Sequence, residues 1–94
     1  MLFSWDPAKA WVNVKKHGVS FELAQTVFDD PLHASVLDKR HHREERWVTL
    51  GLSAAAHILV VVHTYSVVKG TEMIRIISAR KATRREKRQY EEGI

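Results

Sequence analysis

Residues 57–80 read HILVVVHTYSVVKGTEMIRIISAR, and this stretch decides the fold. Residues 58–62 are five consecutive apolar, mostly β-branched side chains, the pattern of a central strand. Residues 69–71, Lys-Gly-Thr, mark a turn. Residues 73–79 form the next strand, with Ile74, Ile76 and Ser78 facing one way and Arg75, Ile77 and Ala79 the other. So short a connection joins antiparallel strands, because a parallel crossover needs a dozen residues or more.

Working outward, residues 46–52 alternate, with Val48, Leu50 and Leu52 on one side and Trp47 and Thr49 on the other. Residues 33–38 read as the first strand of the meander, residues 39–45 (KRHHREE) as a polar connector, and residues 53–56 as a small-residue turn. Residues 1–5 suit a short edge strand. Asp6 before Pro7 starts a helix that Gly18 ends, with Ala8, Trp11, Val12 and Lys15 on one stripe. Ser20 caps a second helix, with Phe21, Ala24, Val27 and Phe28 as its apolar face, until Asp29-Asp30-Pro31 stops it. Thr83 and Glu86 have capping-box spacing and open a C-terminal helix. The expected fold is α+β in a single domain, residues 1–94: two N-terminal helices, a four-stranded antiparallel sheet and a C-terminal helix. One sheet face is covered by a helix and the other is left open to a ligand or partner. Trp5, Trp11 and Trp47 are expected in the core.

Composition narrows the function classes. There is no cysteine, which excludes disulfides and thiolate metal sites. No apolar run is long enough to cross a membrane, and no basic-then-apolar leader opens the sequence, so a cytoplasmic protein is expected. Residues 1–38 carry three basic and five acidic side chains, whereas residues 39–94 carry twelve and six. Seven basic residues and a single acid, Glu86, fall between Arg75 and Arg88. That asymmetry suits a polyanion or an acidic partner, although a solvated helix face has the same composition.

Three separated segments, FSWDPAKAWVNVKKHGVSFELAQTVFDDP, HHREERWVTLG and IRIISARKATRREKRQYEE, resemble the BrnT family of toxins from type II toxin–antitoxin modules. Together they span residues 3–92 in the family's order. Many relatives carry an acidic–basic pair after a His-Thr, where this chain has Tyr65 and Ser66. The resemblance implies a RelE-like ribonuclease fold and inhibition of translation by RNA cleavage. It also implies a BrnA-like antitoxin with a ribbon–helix–helix end, and contact with operator DNA only through that antitoxin.

Metal-independent RNA cleavage needs a base at the 2′-hydroxyl, an acid at the leaving 5′-oxygen and cations on the phosphorane. Arg75 and Arg80 are candidate phosphate clamps, with an ion pair between Arg75 and Glu45 or Glu72 as the structural alternative. The resemblance singles out Glu45 as a general base and Arg46 as a charge stabiliser. His17, one turn after an Asn13 that could hold it, is a candidate for proton transfer, or a histidine favoured at a helix end. Lys16, Lys81, Arg84, Arg85 and Arg88 are candidate RNA contacts, or ordinary surface charge. This reading needs His17, Glu45, Arg75 and Arg80 to gather in one electropositive pocket. His63 reads as a core or sheet-face histidine. His41 and His42 are adjacent and so form a poor chelating pair. With no HExxH present, neither a metal nor another cofactor is expected. The competing function is a non-catalytic basic module that binds an acidic partner or nucleic acid.

Overall fold

The computed structural model describes residues 1–40 and 43–93. His41 and His42, and with them the question of their chelation, lie outside the described residues. The chain runs through β1 (Leu2–Ser4), α1 (Pro7–His17), α2 (Phe21–Gln25), a 3-10 turn (Thr26–Asp29), β2 (Ala34–Asp38), β3 (Arg46–Leu52), β4 (Ile58–Val68), β5 (Thr71–Lys81) and α3 (Arg84–Glu92).

The sheet has five strands in the order β1-β5-β4-β3-β2. Strands β2 to β5 form the expected antiparallel meander. The expectation of a four-stranded antiparallel sheet is corrected by β1, which pairs parallel with β5 through Leu2–Met73, Phe3–Ile74 and Ser4–Arg75. Three residues are too few for alternation to show where a strand pairs, and this partner lies some seventy positions downstream. The helices carry the chain from β1 at one edge to β2 at the other. Lys69 (φ 50°) and Gly70 (φ 80°) both take left-handed backbone between Val68 and Thr71, the two-residue turn that matches the twist of a hairpin. That turn lets β4 extend six residues beyond the expected 58–62.

A bulge corrects the facing of β5. Val62 pairs with Ser78 but His63 pairs with Ile76, which leaves Ile77 as an extra residue. The phase therefore reverses at Ile77. Ile74, Ile76 and Ala79 share one face, and Arg75, Ser78 and Arg80 share the other. The first face, with Leu59 and Val61, packs on Val19, Phe21, Ala24 and Val27 to form the core. Gly51 is tightly placed there: a Cβ would meet the Val27 Cβ at 3.0 Å and the His33 Cβ at 3.1 Å.

The expected caps form. Asp6 accepts from the Ala8 N–H, Ser20 accepts from the Leu23 N–H, and Thr83 and Glu86 complete the capping box. The second helix is shorter than its apolar spacing suggests. The Thr26 hydroxyl donates to the Leu23 carbonyl at 2.6 Å and accepts from the Ala54 N–H at 2.9 Å, and the chain tightens to 3-10 there. Helix α1 turns a different stripe inward from the one expected. Ala10, Asn13 and His17 face the protein, while Trp11 is 61% exposed under the Lys15 ammonium, 4.2 Å from the ring centroid. Trp11 is therefore not core: Asn13 takes the inward position because it bonds to β5. Trp5 meets Phe21 edge-on at 6.0 Å, and Trp47 is half-buried beside a cleft. No helix among the described residues is long and apolar enough to span a membrane.

Candidate functional site

The open sheet face, opposite α1 and α2, carries three of the candidate cations, Arg46, Arg75 and Arg80. The bulge at Ile77 places Arg75 and Arg80 on this face together. Their partners on β4 are Thr64 and Val60, so they stand roughly 13 Å apart along the strand. Arg46 precedes the Trp47–His63 pair, which puts Arg46, Thr64 and Arg75 in one row across the sheet. Between the row and α3 the floor is apolar, made by Val36, Val48, Leu50 and Val60. Helix α3 closes that end and presents exposed Arg84, Arg85 and Arg88.

Asp38 stands across from Arg46 in the β2–β3 register, and a second carboxylate, Glu44, reaches the other end of the row. It pairs with a terminal nitrogen of Arg75, where Glu45 or Glu72 was the expected partner. Glu45 is exposed one position further on, and the Glu72 carboxylate accepts instead from the Tyr65 hydroxyl at 2.8 Å. The buried Nε of Arg46 has no hydrogen-bond partner among the described residues. Arg80 makes two parallel bonds to Glu86, both 2.8 Å, which hold the Glu86 carboxyl down at about 2 and raise the guanidinium.

His17 and Lys16 lie elsewhere, in a groove of about 330 Å³ between α1 and the outer edge of β5, with Ile77 and Ser78 as its other wall. Asn13 does not hold His17. Its amide donates to the Val19 and Ala79 carbonyls at 2.9 and 2.8 Å and accepts from the Ala79 N–H at 3.1 Å. Lys81 is on the helix-covered side of β5, in a small hollow with His57 and Lys87. His17, Glu45, Arg75 and Arg80 thus share no single cavity. The sheet separates them into an arginine row, an α3 end and an α1 groove. Among the described residues, no three His, Asp or Glu side chains are grouped to hold a metal ion.

A family model for the ribonuclease toxin BrnT of type II toxin–antitoxin systems matches residues 5–86. The chain belongs to the BrnT family. Among solved structures it is similar to the crystal structure of the Brucella abortus ribonuclease toxin BrnT, with 25% identity and a TM-score of 0.61. That match covers 89% of this chain and 100% of the other. No curated protein matches the chain. A BrnT toxin of a type II module has an antitoxin as its partner.

Within this BrnT chain, sequence reasoning missed Glu44 and Asp30. Glu44 gave no signal beyond its place beside the glutamate chosen. Asp30 reads as a helix stop, yet its carboxylate accepts from the Leu32 N–H (3.0 Å), the Leu52 N–H (2.8 Å) and the Tyr90 hydroxyl (2.6 Å). Burial opposes its ionisation, but these bonds outweigh burial and lower its pKa. In return the Tyr90 phenol is pushed up to about 12. This contact ties α3 to the body of the protein.

Proposed function

We propose that this BrnT-family toxin is a metal-independent endoribonuclease that inhibits translation in the cytoplasm. The RNA crosses the open sheet face between the arginine row and α3. Arg75 and Arg46 stabilise the charge that develops on the phosphorane, and Arg80, Arg84, Arg85 and Arg88 hold the flanking backbone. Glu44, already against Arg75, is the better-placed general base, with Glu45 as the alternative. The apolar floor of Val36, Val48 and Leu50 receives unstacked bases. His17 and Lys16 contact RNA around the β5 edge, where their groove meets Ser78 of the open face, and Lys81 has no evident access to it. A BrnA-like antitoxin with a ribbon–helix–helix end covers the face and alone contacts operator DNA.

The single observation that carries this reading is the row of Arg46 and Arg75 on an uncovered sheet face, where the buried Arg46 Nε has no hydrogen-bond partner among the described residues. Such an orphan donor costs about 1–3 kcal/mol, which a purely structural arginine has no reason to retain. The test is incubation of the purified chain with RNA in EDTA. New RNA ends should form, and Arg75→Ala should lower the rate by at least about a hundredfold. Glu44→Gln and Glu45→Gln then show which carboxylate is the base. No cleavage by the intact chain sinks the proposal.

One observation favours the second reading, a binding module without catalysis. Both Arg75 and Arg80 are already neutralised, by Glu44 and Glu86. That reading requires salt-sensitive RNA binding with no new ends.

A further inference from the structure

A cleft of about 310 Å³ lies on the other side of the same strands, on the helix-covered face beyond the reach of α1 and α2. Phe28, His33 and Trp47 supply aromatic walls, and Ser35, Tyr65 and Glu72 supply the polar groups. It is at the small end for a ligand site, large enough for one planar group.

Hydrogen-bond bookkeeping fixes what this cleft offers. The buried His63 has Nδ1 at 3.0 Å from the Thr64 carbonyl, which can only accept, so the proton is on Nδ1. His63 Nε2 must then accept from the Thr49 hydroxyl at 2.6 Å, and Thr49 Oγ1 must accept from the Ser35 hydroxyl at 2.6 Å. The Ser35 proton therefore points inward, and only lone pairs of its oxygen are left. Burial lowers the His63 pKa, which keeps this direction in place. On the same argument, His33 Nδ1 donates to the Asp30 carbonyl at 2.7 Å. The Tyr65 hydroxyl donates to Glu72 Oε2, and Glu72 Oε1 has no hydrogen-bond partner among the described residues. Every side-chain oxygen of the cleft thus offers lone pairs, one group is anionic, and no lysine or arginine among the described residues lines it.

Acceptors, one carboxylate and flat aromatic walls are complementary to a planar, donor-rich cation. We propose that this cleft receives an arginine side chain of a partner protein: the guanidinium stacks between Trp47 and Phe28 and donates to Glu72 and Ser35. A guanine edge has matching donors but brings a phosphate, for which the cleft has no cationic side chain. The inference does not depend on the reading of the open face.

The test is calorimetric titration of the intact chain with Nα-acetyl-arginine amide, its neutral isostere Nα-acetyl-citrulline amide, and guanosine monophosphate. The Trp47 indole N–H resonance, assigned with Trp47→Phe, reports the place of binding. The arginine probe should saturate and shift that resonance. The citrulline probe should bind at least about tenfold more weakly, and Glu72→Gln and Ser35→Ala should each weaken the arginine probe, Glu72→Gln by about tenfold. Tighter binding of the nucleotide would make this a base pocket and overturn the proposal. So would equal binding of the two amides, unchanged affinity in Glu72→Gln, or no saturation by the arginine probe.

Discussion

Asn13 works as a substitute strand. Strand β1 ends its pairing at Arg75, so β5 is an open edge beyond that point, and the Asn13 amide supplies the missing donor and acceptor at Ala79. Asn13→Leu keeps the branched shape and strands three backbone groups. The expected loss is about 2–4 kcal/mol in urea denaturation, with a smaller loss for Asn13→Asp only if its acceptor half dominates. Gly51→Ala should cost about 1–3 kcal/mol by the same measurement, because the new methyl meets Val27 and His33 in a packed core. The caps at Asp6, Ser20 and Thr83 were legible because each partner lies two or three residues away. The roles of Asn13 and Asp30 were not legible, since their partners lie 66 and 60 residues away in the chain.

At the scale of elements, α3 is fastened at both ends, by Arg80–Glu86 at its start and Tyr90–Asp30 near its finish. The Glu86 pKa falls from 4.5 to about 2 on folding, so its ionised form is favoured by the native state. Its stabilisation is complete above about pH 4.5 and is lost as the pH falls towards about 2. The stability gap between the native chain and Glu86→Gln, measured by urea denaturation across this range, should therefore narrow on acidification. A gap that stays constant to pH 2 would show that the ion pair does not carry it. Tyr90→Phe should leave the core intact and accelerate amide exchange in α3 alone. Element boundaries in the meander follow from alternation and turn residues. The inward stripe of α1 was misread because Trp11 and Val12 are more apolar than Asn13, while the β5 edge asks for an amide.

At the scale of the molecule, Arg46, Arg75 and Arg80 on the open face and the arginines of α3 gather basic charge, and polyanion binding there should depend steeply on salt. Replacing Arg84, Arg85 and Arg88 together by Gln should lower the slope of log affinity against log salt by up to about 2 for single-stranded RNA, read by fluorescence anisotropy. An unchanged slope would remove α3 from the RNA path. Hydrophobic patterning, turn residues and local caps determined the helices and the four-strand meander from sequence alone, because those signals act over a few residues; the BrnT kinship was carried separately, by the resemblance of three segments. Tertiary structure alone decided where the first strand pairs, the pairing of Glu44 with Arg75, and the placing of Arg75 and Arg80 on one face. The last of these follows from a single extra residue, Ile77, that reverses the phase of β5. A bulge is set by the register between two strands, and the pattern of one strand cannot contain it.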